Sequence, residues 1–132
     1  MAEHQHITAP DGVAPGNGFS HVVIGTGTLV AVSGQIAVDA QGELVGRDDP
    51  EAQARQVFAN LQRCLEAAGA SFADVVKLTF YVTDVAHLPA VRAARDAYVD
   101  AARPPASSAV QVAGLIRPEL LVEVDALAVL RA

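Results

Sequence analysis

The segment "LLVEVDALAVL", residues 120–130, constrains the fold more than any other. At the two-residue period of a β-strand, Leu120, Val122, Val124, Ala126 and Ala128 point one way, and Leu121, Glu123, Asp125, Leu127 and Val129 the other. Neither set is a solvent face. Such a strand belongs inside a sheet that is covered twice. Where helices cover only one side, a second subunit covers the other, most simply by cyclic symmetry. Glu123 and Asp125 then lie at or near that interface, Asp125 towards its rim. A carboxylate between Val122 and Val124 must be hydrogen-bonded, ion-paired or raised in pKa, and the pattern leaves a structural ion pair and an active-site acid both open.

The rest of the chain supplies the layers. "SHVVIGTGTLVAV", residues 20–32, reads as two strands joined in a hairpin at Gly25-Thr26-Gly27. "SGQIAVDAQGELV" continues as strand, turn and strand, with Asp39 to Gly42 as the turn. The period then changes: Ala54, Val57, Phe58, Leu61, Leu65 and Ala68 recur at three and four, one face of a helix. Asp49 caps it, Pro50 fits its first position and Gly69 closes it. "VVKLTFYVTD" is a strand, and residues 87–101 form a second helix with Leu88, Val91, Tyr98 and Ala102 on one stripe. Pro104 and Pro105 end that region and deliver a strand over residues 107–113. The order β-β-β-α-β-α-β-β predicts one α+β domain over residues 1–132, a two-layer mixed β-sheet with two helices on one face.

Several chemistries are disfavoured. A formal charge of −6 with only 9 scattered basic residues argues against a nucleic-acid partner. His4, His6, His21 and His87 show no ligand spacing, and His4 and His6 fall on an end expected to be mobile, so no metal is expected. The glycines form neither GxGxxG nor GK[ST], and no cofactor is expected either. A single cysteine, Cys64, excludes an intrachain disulfide and reads as a buried thiol in a reducing compartment. No signal-like N-terminus or membrane-length apolar run is present, so the expected setting is soluble and cytoplasmic, with no membrane partner. Ser107 and Ser108, at the mouth of their strand, have no general base beside them in sequence and read as groups that satisfy backbone.

Together "GFSHVV", "VSGQIAVDAQGELV", "QARQVFANLQRCLEAAGASFADVVKLTFYVTD" and "VEVDALAVL" resemble the Rid (YjgF) family from about Pro15 to the C-terminus. The resemblance implies a chorismate-mutase-like protomer and a homotrimer, its sheets facing inward and its small-molecule clefts between subunits. It also implies hydrolysis of reactive 2-imino and enamine acids to 2-keto acids and ammonia; some members carry an endoribonuclease label. In deaminase-type members the strand after the prolines resembles P-A-R-S, whose arginine grips the substrate carboxylate. Here Ser107 stands in the arginine's place, Phe19 in that of a pocket tyrosine, and Arg92 in that of an asparagine. Glu123 matches the family's pocket glutamate.

A serine hydroxyl offers one neutral donor where a guanidinium offers charge and a planar fork. Two readings follow. In the first the chain is a divergent imine or enamine deaminase: Glu123 holds or deprotonates the attacking water, backbone around Gly34 and Ala109 orients the substrate, and Arg92 either replaces the lost cation or is a solvated helix residue. In the second it is a non-catalytic trimer that binds a small ligand. Endoribonuclease activity ranks third, on charge.

Overall fold

Gln53, on the first turn of the long helix, is a polar residue with no exposed surface, and what it holds explains how the layers meet. Its Nε2 donates to Gly46 O (3.1 Å) and Glu119 O (3.0 Å), and its Oε1 accepts from Leu121 N (2.8 Å). One amide thus joins the loop before the helix to the entry of the last strand. The helix, α1 (Pro50–Ala67), starts where Asp49 accepts from Ala52 N (3.1 Å) and ends before Gly69, whose φ of +76° needs no Cβ.

The computed structural model describes residues 3–131. Within it the strands are β1 (Gln5–Ile7), β2 (Val22–Ile24), β3 (Thr28–Gln35), β4 (Val75–Val82), β5 (Ala106–Gln111) and β6 (Val122–Leu130), and the second helix is α2 (Leu88–Arg95). The main sheet has the order β3-β6-β4-β5, antiparallel except for the parallel β4–β5 pair. Both helices lie on one side and pack on each other, as the order of elements predicts. The core between the layers takes Phe58, Leu61 and Leu65 from α1, Leu78 and Val82 from β4, and Val122, Val124 and Ala126 from β6. Each large side chain so buried contributes roughly 1.5–3 kcal/mol. Tyr98 closes one end, stacked on Phe58 with centroids 5.6 Å apart.

Several expectations need correction, among them the strand after the Asp39–Gly42 turn, of which only a Val38–Leu44 bridge forms. Residues 20–32 do not make a hairpin: β2 pairs with β1 in a separate two-stranded sheet, and β3 pairs with β6. At Gly27, with φ of +150°, a Cβ would overlap the Leu130 carbonyl, so β3 starts hard against the end of β6 while β2 diverges. The N-terminal histidines are anchored rather than mobile. His4 is buried, with Nε2 bonded to Val129 O (2.9 Å), and His6 Nδ1 bonds Pro104 O (2.8 Å). The second helix stops at Arg95, where Ala97 N and Tyr98 N bond three residues back and turn the chain so that Tyr98 reaches Phe58. Cys64 is half-buried, on the flank of α1 rather than in its core stripe.

The far side of the sheet has no helix. Leu29 (65% exposed), Val110 (44%) and Leu127 (40%) bring apolar surface there from three strands. Among the described residues no helix is long and apolar enough to cross a membrane.

Replacing Gln53 by Leu keeps the volume but leaves the Leu121 N–H and the Glu119 carbonyl without partners, while Gly46 O keeps the Asp49 N–H. Gln53→Leu should therefore lower the unfolding free energy by about 2–5 kcal/mol in urea titration. A loss below ~0.5 kcal/mol, the level of a neutral surface change, would show that the link is dispensable.

Candidate functional site

The cleft on the helix side is built at the edge strand β5. Pro104 and Pro105 offer no N–H to a neighbour, but their carbonyls are claimed by buried Ser20: Oγ donates to Pro104 O (2.7 Å) and N to Pro105 O (3.1 Å). That clamp carries Phe19 to the mouth of a cavity of about 180 Å³ between β5 and α2. The Phe19 ring lies on the backbone of Gly16, where a Cβ would overlap it, and meets His21 edge-on with centroids 5.2 Å apart. Phe80, Leu88 and Val91 make the apolar floor.

The two serines part company here. Ser107 pairs across β4 with Leu78 and lines the cavity, as does Ala109. Ser108 pairs with Thr79, faces the opposite side and accepts from Lys77 Nζ (2.9 Å). From α2 come two guanidinium groups, Arg92 and Arg95. Arg95 is 11% exposed in its side chain, and its Nε (3.1 Å) and Nη2 (2.9 Å) donate to Oδ1 of the exposed Asp96. The loop passes so close over Arg95 that a Cβ at Gly18 would lie 2.6 Å from Nη2, and Gly18 itself has φ of +77°. Arg95 was not singled out in the sequence. The available signal was its place three residues after Arg92, beside the Leu88–Val91 stripe.

Glu123 lies on the other side of the sheet. It pairs with Tyr81 across β4, and its carboxylate rests on the backbone of Gly34, where any Cβ would overlap it. Glycine at 34 leaves room for the carboxylate in this position, and a Cβ there would displace it. Burial holds the Glu123 pKa above the usual carboxylate range, and the nearby charge of Asp125 adds to this. Asp125, placed mid-strand rather than at a rim, accepts from Tyr81 Oη (3.0 Å), which raises the tyrosine pKa in turn. No cation of the described residues pairs with Glu123.

Within one protomer the sheet thus separates the predicted residues into two groups. Phe19, Arg92, Ser107 and Ala109 meet at the helix-side cavity; Glu123 and Gly34 meet on the uncovered face. Among the described residues no three His, Cys, Asp or Glu side chains cluster as metal ligands.

The protomer is thus an α+β fold with an edge-strand cleft on the helix side of its sheet and a carboxylate on the bare face. The family model described as Endoribonuclease L-PSP matches residues 9–130. A RutC family protein of Synechocystis is 39% identical over 96% of this chain and 94% of its own length. The 2-iminobutanoate/2-iminopropanoate deaminase of Salmonella typhimurium is 39% identical over 80% of this chain and 82% of its own. The crystal structure of a Rid family protein from Yersinia pestis, described as of unknown function, superposes with a TM-score of 0.85 and 38% identity, covering 98% of this chain and all of that one. The chain belongs to the Rid family.

A raised carboxylate pKa has a stability signature of definite sign. Folded Glu123 holds its proton more tightly than unfolded Glu123, so its ionisation disfavours the folded state as pH climbs from the ordinary carboxylate range through the raised value. Carbonyl-detected NMR titration should show Glu123 titrating above the exposed glutamates. In Asp125→Asn the midpoint should fall but stay elevated, because burial is the larger cause. A Glu123 midpoint equal to that of exposed glutamates would contradict this environment.

Proposed function

We propose that the chain is a divergent imine or enamine hydrolase working as a homotrimer, in which Glu123 of one subunit faces the α2 cleft of the next. What supports this most directly is a carboxylate of raised proton affinity, without a cation partner, on a sheet face that the protomer leaves bare and apolar. The named activity of the Salmonella relative adds to it. Symmetry would cover Leu29, Val110 and Leu127 and bring acid and cavity together, which one sheet cannot do alone.

The chemistry is an addition followed by an elimination. Glu123 takes a proton from water as the water oxygen bonds to the C=N carbon and passes that proton to the nitrogen, so that the neutral tetrahedral carbinolamine forms. On collapse the carboxylate takes the hydroxyl proton and delivers it to the same nitrogen, the carbonyl forms and the C–N bond breaks with release of ammonia. One imine and one water give one 2-keto product and one ammonia. Backbone at Gly34 and Ala109 orients the substrate, and Phe19 and Val91 hold its apolar part.

Ser107 favours a second reading, a non-catalytic trimer that binds a small ligand, because the strand contributes no charge to the cleft. With a formal charge of −6, the endoribonuclease description of the family model draws no support from electrostatics.

The discriminating variant is Glu123→Gln, which keeps shape and most hydrogen-bonding capacity but loses the basic lone pair. Light scattering should give a trimer mass for wild type and variant alike. Turnover of 2-iminobutanoate, generated in situ by an amino-acid oxidase and read as faster ketoacid release, should fall by ~10²–10⁴. Trimer dissociation without a specific loss of turnover would make Glu123 half of an interfacial ion pair, whose breaking costs roughly 3–5 kcal/mol. If wild type turns over no imine, the binding-module reading takes its place.

A further inference from the structure

The cleft beside Ser107 is lined by two arginines and no carboxylate, in a chain whose formal charge is −6. Arg92 and Arg95 stand three apart on α2, so their like charges repel unless something between them compensates. Asp96 does so only in part. It takes Nε and Nη2 of Arg95 through one oxygen and lies largely in solvent, while Nη1 of Arg95 has no acceptor among the described residues. Arg92 has neither an ion pair nor a side-chain hydrogen bond among them. Arg95 is also flanked on two sides: Asp96 takes Nε and Nη2 of the guanidinium, and a Cβ at Gly18 would lie 2.6 Å from Nη2. A guanidinium this buried, oriented on one edge and uncommitted on another, is prepared for an anion.

We propose that Arg95, with Arg92, is the anion-binding subsite of this cleft, so that carboxylate recognition comes from α2 instead of β5, and that Arg95 is the residue selecting a small apolar 2-imino or 2-keto acid over its uncharged analogue. The two guanidinium groups hold the carboxylate, Ser107 adds a neutral donor, and the chain of the acid lies on Phe80, Leu88 and Val91. At about 180 Å³ the part of the cleft that one protomer forms is smaller than the ~300–1,000 Å³ of a drug-sized site and suits a short-chain acid. The assignment rests on the small-ligand cleft described above but not on catalysis, so binding tests it separately from turnover.

The probes are 2-oxobutanoate, a stable ketoacid, and butan-2-one, which lacks its carboxylate. By calorimetry and ligand-detected NMR, wild-type protein should prefer 2-oxobutanoate. Arg95→Met should weaken 2-oxobutanoate roughly 10- to 100-fold and leave butan-2-one unchanged, with Arg92→Met losing less and Arg95→Lys recovering part of the affinity. The wild-type protein gives a reading that does not depend on a variant folding: the Arg95 Nε–Hε resonance should shift on adding 2-oxobutanoate and not on adding butan-2-one. Equal binding of both probes, no binding of 2-oxobutanoate at millimolar concentration, or an Arg95→Met protein that is folded and binds 2-oxobutanoate like wild type would each overturn the subsite. Selective 2-oxobutanoate binding without imine turnover would leave it standing and remove the hydrolase reading. Turnover undiminished in Arg95→Met would do the reverse.

Discussion

Everything in this protomer is arranged around β6, a central strand whose two faces have different owners. One face, from Val122 to Ala128, is buried beneath α1 and supplies much of the hydrophobic driving force. The other carries Glu123 and Asp125 among apolar residues of β3 and β5 that no element of the same chain covers. Because side chains alternate strictly along a strand, a shift of one residue would put both carboxylates into the core. Gln53 guards against that shift at the strand entry, and the Leu130 carbonyl against Gly27 guards the far end.

The same alternation divides the chemistry. The Arg92–Arg95 cavity and the Glu123–Asp125 pair project from opposite faces of the sheet and do not meet within a protomer. On the carboxylate side, burial and like charge raise proton affinity. On the cavity side, two cations face an apolar floor where an anion is less well solvated by water and better held by guanidinium groups.

Much of the fold was legible in the residues. The helix face at Val57, Phe58 and Leu61, the Asp49 and Gly69 ends, the Asp39–Gly42 turn, with Gly42 N bonded to Asp39 O, and the bare second face of β6 all follow from local periodicity and turn chemistry. The pairing of residues 20–32 was not legible. Two β-rich runs around glycines look like a hairpin locally, and only the competition between β6 and β1 for their edges decides otherwise. Nor could the anchoring of His4 and His6 be read, because their partners, Val129 and Pro104, lie about a hundred residues away.

By itself the sequence determined the layers, the two-faced central strand and the presence of a carboxylate that could not be an ordinary surface group. These depend on side-chain period and type, which are properties of short segments. Only the tertiary structure decided that Ser107 and Ser108 face opposite sides of the sheet, that Glu123 and Phe19 are not neighbours within a chain, and that Arg95 sits under Gly18 at the cavity wall. Those facts rest on register and on close backbone approach between distant segments, and no local pattern encodes either.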